Sequence, residues 1–570
     1  MEVDMDILEN EENGFEERAD YLSEDELIKW NVDIPYFNTI QKKLIEKGAK
    51  VIVGPRGSGK THQMKIAYNN CLKVKNKPLA IYVSFNKYYH LEPLLSKNPA
   101  AITIFHTWVL CKIILACIDT VRKLNKNEPP LNLDKIDTYN NIVIEKVEKF
   151  VAHAEKDVQE TWHSDILNNI TIQYVIDYLS KSMALCGRKR IVLLLDDAAL
   201  TLTKEYMIEF FDIFRSLKTL TISPKASVYP GTTEYGPRFH LKQDADPHMI
   251  WFEPEGQEYA DFINELCKKR FNSIEIDDGI KELLKYASFG NPRAFIILLK
   301  DYEENRLKTT QVVFNEIVDT RCKLLKDEYL SIKQKLSQYS TIIDTGWEFF
   351  EEILKEITTA NRKLFNSNKK QIVIGLLDNR DKSIERMIKF LIEAGLLYEL
   401  GPVKHGENRE YKRFIPHLIF LFQKRAFSKS RGFNINEILE FLKRKNYKHP
   451  LRKDNISKMI NTEMLNLNLP PCTHCGASRL SENQKFCHIC GNELISRSSF
   501  EKCMQLTIDK LPLTEWQKTK IMEETDLKTV KDFLSIPDIG SELRKPHGIG
   551  QKRAETIINK VYKLIEEFLA

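Results

Sequence analysis

The sequence predicts an α/β fold, a parallel sheet with helices on both faces, followed by a small all-helical unit and a series of compact modules. Three observations carry that prediction. Residues 51–62 read VIVGPRGSGKTH, a short β-branched run that delivers the pattern G-x-x-x-x-G-K-T to the start of a helix. Residues 191–197 read IVLLLDD, an unbroken apolar run ending in two acids, as a strand covered on both faces should. Around them strand-like and helix-like segments alternate, which is the pattern of a parallel, doubly wound sheet.

The first stretch is a phosphate cradle. Gly54, Gly57 and Gly59 let the backbone turn tightly and expose successive N–H groups, and the helix that follows adds its dipole toward an anion. Across Gly54, Pro55, Arg56, Gly57, Ser58, Gly59, Lys60, Thr61 and His62 the residue types suit ATP. Lys60 reaches the β- and γ-phosphates, and Thr61 ligates Mg²⁺. Asp196 is then expected in the Mg²⁺ shell, and Asp197 where a general base orients the attacking water. The second carboxylate is Asp, shorter than Glu, so slow turnover is expected.

At 570 residues the chain has room for roughly three to five domains. No apolar run approaches the roughly 18 to 20 residues of a membrane span, and the N-terminus is acidic where a signal or transit peptide is basic. A cytoplasmic protein, nucleoid-associated or free and with no membrane partner, is the expectation. Of eleven cysteines seven are scattered and four cluster near the C-terminus, which suits a reducing compartment with one metal site. The net charge of +5 hides twelve acids against one Arg in the first 26 residues, so the rest is basic enough to meet an acidic polymer.

In chain order, residues 1–14 are expected as a flexible acidic tail and 15–255 as the nucleotide-binding domain. Within it, helices are expected at 37–47, to Lys75 after the cradle, at 104–122 and at 203–217, and strands at LAIYVSF, 225–231 (KASVYPG) and 249–254 (MIWFEP). The stretch 125–170 reads as polar and helical, without an assigned task. Residues 256–305 turn wholly helical and are expected as a lid, 306–425 as a helical connector and a further module, 426–468 as a basic linker, 469–495 as a metal-stapled unit and 500–570 as a helical unit.

The cradle GPRGSGKT, the LLLDD strand and the later GNPRAF together resemble an AAA+ P-loop NTPase of the initiator branch, which holds the origin-recognition-complex and archaeal replication-initiator ATPases. That resemblance implies an ATPase, assembled as a homo-oligomer through its AAA+ domain. It also implies that Arg293 is the lid arginine that touches the γ-phosphate. By the same resemblance Thr232 or Thr233 is near the sensor position after the fourth strand, and Arg238 is a candidate arginine finger.

Residues 369–422 resemble a winged helix: an apolar segment, a turn, a helix with apolar Ile384, Met387, Ile388 and Leu391, then two strand-like runs joined by a basic loop. Lys382, Arg386 and Lys389 are its candidate DNA-reading residues, and Lys404, His405 and Arg409 lie in the wing. Residues 424–458 hold eleven Lys or Arg against three acids. Cys472-x2-Cys475 and Cys487-x2-Cys490, each pair followed by glycine, have the spacing of a zinc ribbon binding one structural Zn²⁺. Finally Gly548-Ile549-Gly550-Gln551-Lys552-Arg553-Ala554 resembles the helix-hairpin-helix pattern, in which Gly548 and Gly550 free backbone N–H groups for a DNA phosphate and Lys552 and Arg553 add charge.

Together these readings predict an ATP-dependent protein that binds duplex DNA, with ATP hydrolysis as a slow switch. The alternative is a sensor NTPase of a bacterial defence system that activates a separate protein effector.

Overall fold

Apolar, β-branched runs become the strands of one parallel sheet in the computed structural model. It describes residues 15–85, 91, 98–127, 144–155, 163–197, 204–272, 274–377, 381–406, 409–429, 434–467, 469, 471–472, 474–480, 484, 486–492, 494, 503–536 and 539–569. The acidic tail expected at 1–14 lies outside them. The strands are β1 (Lys50–Val53), β2 (Leu79–Ser84), β3 (Ile191–Asp196), β4 (Ile222–Val228) and β5 (Asp246–Met249), in the order β2-β3-β4-β1-β5. Every neighbouring pair is parallel. β3 and β4 are buried along their whole length, so the sheet is covered on both faces. This order sets β4 between the strand that feeds the cradle and the strand that ends in Asp196.

Two strands are displaced from their expected places. β4 starts at Ile222 because its polar residues are accommodated inside: Lys225 Nζ donates to Glu46 O at 2.8 Å and to Gly48 O. Burial pushes the Lys225 pKa down to about 7. β5 ends at Met249, where 249–254 was expected as the strand. Ile250, Trp251 and Phe252 instead leave the sheet edge and fill the seam with Phe37, Tyr259 and Phe262, since apolar residues gain more from that seam than from a half-exposed edge.

The helix Ala101–Asn127 packs on β2 and on the helices Ile144–Ala154, His163–Asn169 and Ile172–Leu185. Phe150 and Ile166 are buried, so the described part of 125–170 completes the core on this side of the sheet. Residues Ala101–Leu124, with mean hydropathy 2.0, are long and apolar enough to cross a membrane by length and composition. That corrects the expectation that no run approaches such a length. Here Trp108, Val109, Leu110, Cys111, Ile113 and Cys117 have no exposed surface, and the segment serves as a core helix.

The helices Gln257–Arg270, Asp278–Ser288 and Pro292–Glu304 form the small helical unit. Asn291 caps the last of them, its side chain accepting from Ala294 N, with Pro292 at the first helical position. Two long helices, Thr310–Lys335 and Ser340–Leu364, lead to β6 (Lys369–Lys370), β7 (Ile374–Leu377), the helix Lys382–Glu393, β8 (Leu397–Lys404) and β9 (Glu410–Pro416). β8 and β9 pair antiparallel.

The basic stretch expected as a linker is folded into this unit. The helix Ile435–Leu442 buries Ile438, Phe441 and Leu442, β10 (Lys445–Asn446) pairs with β6, and β11 (Leu451–Lys453) extends the sheet to the order β11-β7-β9-β8. Its cations form a solvated face over an apolar one, and Arg444 donates to Phe365 O and Ser367 O at 3.0 and 2.9 Å. The C-terminal helices Glu515–Glu524, Val530–Ser535, Ile539–Leu543 and Gln551–Leu569 close on buried Leu543, Ile549, Ala554, Ile557 and Val561.

Candidate functional site

Sterics decide the shape of the cradle. Gly57 (φ 83°) and Gly59 (φ 96°) hold the left-handed backbone that only glycine adopts cheaply. A Cβ on Gly57 would also lie 2.6 Å from Asn291 Oδ1 and 3.0 Å from Arg293 Cβ, so the lid rests on this residue. Asn291 Nδ2 donates to Arg56 O at 2.8 Å, and Arg293 N to Gly57 O at 3.4 Å. Cradle and lid are therefore joined by hydrogen bonds. Ser58 Oγ is buried in the cradle and has no hydrogen-bond partner among the described residues. The helix Lys60–Lys73 begins inside it, its first N–H groups having no intrahelical acceptor.

Lys60 is buried, and its Nζ donates to Gly54 O at 2.7 Å and Pro55 O at 3.0 Å. Burial pushes its pKa down to about 8, against the opposing charges of Asp196, Asp197 and Glu393. Thr61 is partly buried in the first helical turn, and the His62 ring faces Asn31 Oδ1 at 3.3 Å with its pKa pushed down to about 4 by burial, so it is neutral at pH 7.

Asp196 has no exposed surface; Tyr82 Oη donates to its Oδ2 at 2.9 Å and Ser227 Oγ to its Oδ1 at 2.7 Å. Asp197 follows in the left-handed region (φ 54°), with its N–H donating to Ser227 Oγ at 2.9 Å. Ser227 on β4 thus fixes both acids. Burial raises the Asp197 pKa well above the usual carboxylate range, aided by the charges of Asp196 and Asp20 and opposed by Lys60 and Arg56.

Three groups at this site escaped the sequence reading. The segment that starts at Phe15 lies against cradle helix and lid: Lys65 Nζ donates to Ala19 O (3.0 Å) and pairs with Asp20 Oδ1 (3.2 Å), and Arg293 Nε donates to Glu17 O (3.4 Å). Tyr229, just past β4, lays its ring 4.2 Å from Lys60 Nζ. Ser227 is the third. Nothing in a single sequence marks such residues, because their partners lie far away along the chain. Thr233 Oγ1 accepts from Tyr229 N and donates to Tyr229 O (3.1 and 2.7 Å), and Thr232 bonds Glu393, so among the described residues it is Tyr229 that reaches Lys60 from this loop. Arg238 is exposed, 3.6 Å from Asp212 Oδ2.

The expected DNA contacts divide. Lys382, Lys389, Lys404, His405 and Arg409 are exposed. Arg386 instead donates to Glu234 Oε1 at 2.8 Å and to Tyr339 Oη at 3.1 Å, facing the nucleotide-binding domain. In the C-terminal hairpin Gly548 (φ 95°), Gly550, Lys552 and Arg553 are all exposed. Arg553 turns back, donating to Gly548 O at 2.7 Å and lying 5.6 Å from the Trp516 ring.

The four cysteines converge, their Sγ atoms all within 4.8 Å of one another. The two knuckles repeat one geometry: Gly476 N donates to Cys472 O (2.8 Å) and Gly491 N to Cys487 O (2.9 Å). Backbone N–H groups of Cys490 and Ile489 hold the Cys487 thiol down to about 6, favouring thiolate. Desolvation and the neighbouring sulfurs raise the Cys475 and Cys490 thiols, so the cluster shares its protons until a metal displaces them. Four cysteine sulfurs so placed suit a tetrahedral Zn²⁺.

Residues 15–161 match the family described as ORC-CDC6-like. Over that stretch, which holds the cradle and β1 and β2, the chain is similar to that family. No curated protein matches the chain. Among solved structures it is similar to the Walker-type ATPase PABY2304 of Pyrococcus abyssi, at 11% identity and TM-score 0.34, over 68% of this chain and 93% of that one. It is also similar to the Aeropyrum pernix ORC1 protein in complex with DNA, at 10% identity and TM-score 0.28, over 72% of this chain and 93% of that one. AMPPCP-bound DnaA from Aquifex aeolicus follows at 15% identity and TM-score 0.26, over 56% of this chain and 81% of that one.

Proposed function

We propose that this AAA+ protein binds and slowly hydrolyses ATP, and that the nucleotide sets its grip on duplex DNA. The observation that best supports this is the joint between cradle and lid, where Asn291 and Arg293 bond Arg56 and Gly57. A γ-phosphate held by Lys60 would meet both domains there, with Arg293 supplying charge from the lid. Thr61 and Asp196 suit Mg²⁺, since each Asp196 oxygen keeps a lone pair beyond its bond from Tyr82 or Ser227, and Mg²⁺ would neutralise charge on the phosphates. Asp197 accepts the proton of a water whose oxygen bonds the γ-phosphorus as the bond to the β,γ-bridging oxygen breaks, leaving ADP and phosphate.

Phosphate release by purified protein, with and without duplex DNA, tests the reading. A turnover below the roughly 10 per second typical of enzymes, with duplex affinity that changes with nucleotide, is expected. Absence of DNA binding in every nucleotide state would overturn it and leave the signalling NTPase with a protein effector.

The C-terminal hairpin is proposed to hold backbone phosphates, so Lys552→Ala should weaken binding equally on unrelated duplexes and flatten the salt slope by about 0.9. Because Arg553 supports the Gly548 turn, Arg553→Ala should add a loss of its own without changing sequence preference. Titrations on two duplexes at several salt concentrations read both effects. Sequence preference, where present, is assigned to the 369–453 unit.

Cys472, Cys475, Cys487 and Cys490 are proposed to hold one structural Zn²⁺ per chain. Zinc binding by such sets contributes on the order of 10 kcal/mol to folding, so Cys472→Ser should leave the ribbon unfolded while ATP hydrolysis persists. Elemental analysis and limited proteolysis of the variant check this; freshly purified wild type without zinc contradicts it.

A further inference from the structure

The loop that leaves β4 touches the nucleotide cradle at one end and the 369–453 unit at the other. Tyr229 begins it, with its ring against Lys60, and Thr233 closes it into a turn on both backbone groups of Tyr229. Between them Gly231 N and Thr232 N donate to Glu393 Oε2 at 2.7 and 2.6 Å, and Thr232 Oγ1 donates to Glu393 Oε1 at 2.9 Å. Glu234 then receives Arg386. Arg386 and Glu393 stand seven residues apart, so both lie on one face of the helix Lys382–Glu393. That face is bound to the loop closely enough that a Cβ on Gly231 would lie 2.7 Å from both Glu393 Oε2 and Lys389 O. The same helix carries the residues assigned above to base reading. One face cannot serve the loop and a DNA groove at once.

We propose that the loop 229–234 is a nucleotide-responsive latch, in which Tyr229 senses the Lys60 ammonium and Glu393 with Arg386 holds the helix Lys382–Glu393 against the nucleotide-binding domain. Two effects of a polyphosphate act in the same direction. It draws Lys60 off the Gly54 and Pro55 carbonyls and away from the Tyr229 ring, which loosens the start of the loop. It also brings negative charge toward the anions grouped around Lys60, of which Glu393 is one, and so disfavours the Glu393 carboxylate where it is docked. Both release the helix. Linkage then requires that whatever binds the released helix tightens nucleotide binding by the same factor. The latch rests on the ATP-binding reading above and adds the relay residues Tyr229 and Glu393 to it.

Hydrogen–deuterium exchange on the full chain, with and without a non-hydrolysable ATP analogue and Mg²⁺, tests the latch. Analogue should slow exchange in 54–62 and speed it in 229–234 and 382–393 by about threefold or more. In Glu393→Gln, exchange in 382–393 should already be fast without analogue. Tyr229→Leu should keep protection in 54–62 but lose the response in 382–393, and Tyr229→Phe, which retains the ring, should restore it. Protection of 54–62 with no response in 382–393 of the wild type, or an undiminished response in Tyr229→Leu, overturns the latch alone. Failure of the analogue to protect 54–62 overturns the nucleotide reading and the latch with it.

Discussion

Lys60→Ala is expected to abolish nucleotide binding, with affinity in a titration of a fluorescent ATP analogue falling by at least about 100-fold. The loss is not an unfolding effect, and the magnitudes say why. With its pKa at about 8 rather than the unfolded value, the buried ammonium carries a penalty of about 3 kcal/mol in the folded state at pH 7, where it is protonated folded and unfolded alike. That figure is already net of its bonds to Gly54 O and Pro55 O and of its position over Tyr229. Removing an ammonium whose net contribution is unfavourable does not unfold the protein, so the melting temperature of the variant without nucleotide should stay close to wild type or above it. The folded pKa lies below the unfolded one, so the penalty is fully present below pH 8 and is relieved as pH rises toward the unfolded value. Wild type should therefore gain stability relative to Lys60→Ala over that window. Phosphates hold the ammonium charged, so wild-type affinity should weaken above about pH 8, by at most about tenfold per pH unit. Retained binding in Lys60→Ala at pH 7 would remove Lys60 from the site.

The cradle and the acid pair were legible because each is written in consecutive residues whose chemistry is local. Glycines at fixed offsets, a lysine at the helix start and two acids closing an apolar run need no knowledge of the rest of the chain. Tyr229, Ser227 and the segment from Glu17 to Asp20 were not legible for the converse reason. Ser227 meets Asp196 and Asp197 only because β4 lies beside β3, and Glu17 meets Arg293 only because the first described segment lies against the lid. Arg386 shows the same limit from the other side: its charge and its place on the helix invite a DNA phosphate, and only the fold supplies Glu234 as its partner.

Much of the fold followed from apolar pattern, and the departures mark where pattern and packing separate. MIWFEP has the apolar content of a strand, yet Trp251 and Phe252 are used as filler between sheet and lid, while the mixed segment Asp246–Met249, which carries Asp246 and His248, takes the edge position. The run from 424 to 458 reads as a linker by charge. Its strands pair through the backbone, which charge does not forbid, and its helix keeps Ile438, Phe441 and Leu442 on one buried face.

Replacing Asp197 by Asn should stop hydrolysis while leaving ATP binding nearly intact. Asn is the informative variant because Asp197 holds φ 54°, a conformation that Asn tolerates and that costs Ala about 1 kcal/mol or more. It also keeps the backbone bond from Asp197 N to Ser227 Oγ, so Asp196 stays in place. What it removes is the ability to accept a proton, for which a loss on the order of 100- to 10,000-fold in turnover is expected. Burial, with the charges of Asp196 and Asp20, holds the folded-state proton to a higher pH than in the unfolded chain. The wild type therefore loses stability as pH rises through and above the usual carboxylate range, and the neutral variant escapes that loss, so its melting temperature at pH 7 should be no lower than wild type. The same raised pKa should displace the rising limb of the wild-type rate profile above the usual carboxylate range, and the limb should vanish in the variant. Turnover unchanged in Asp197→Asn, measured under saturating ATP, would show that another group receives the proton.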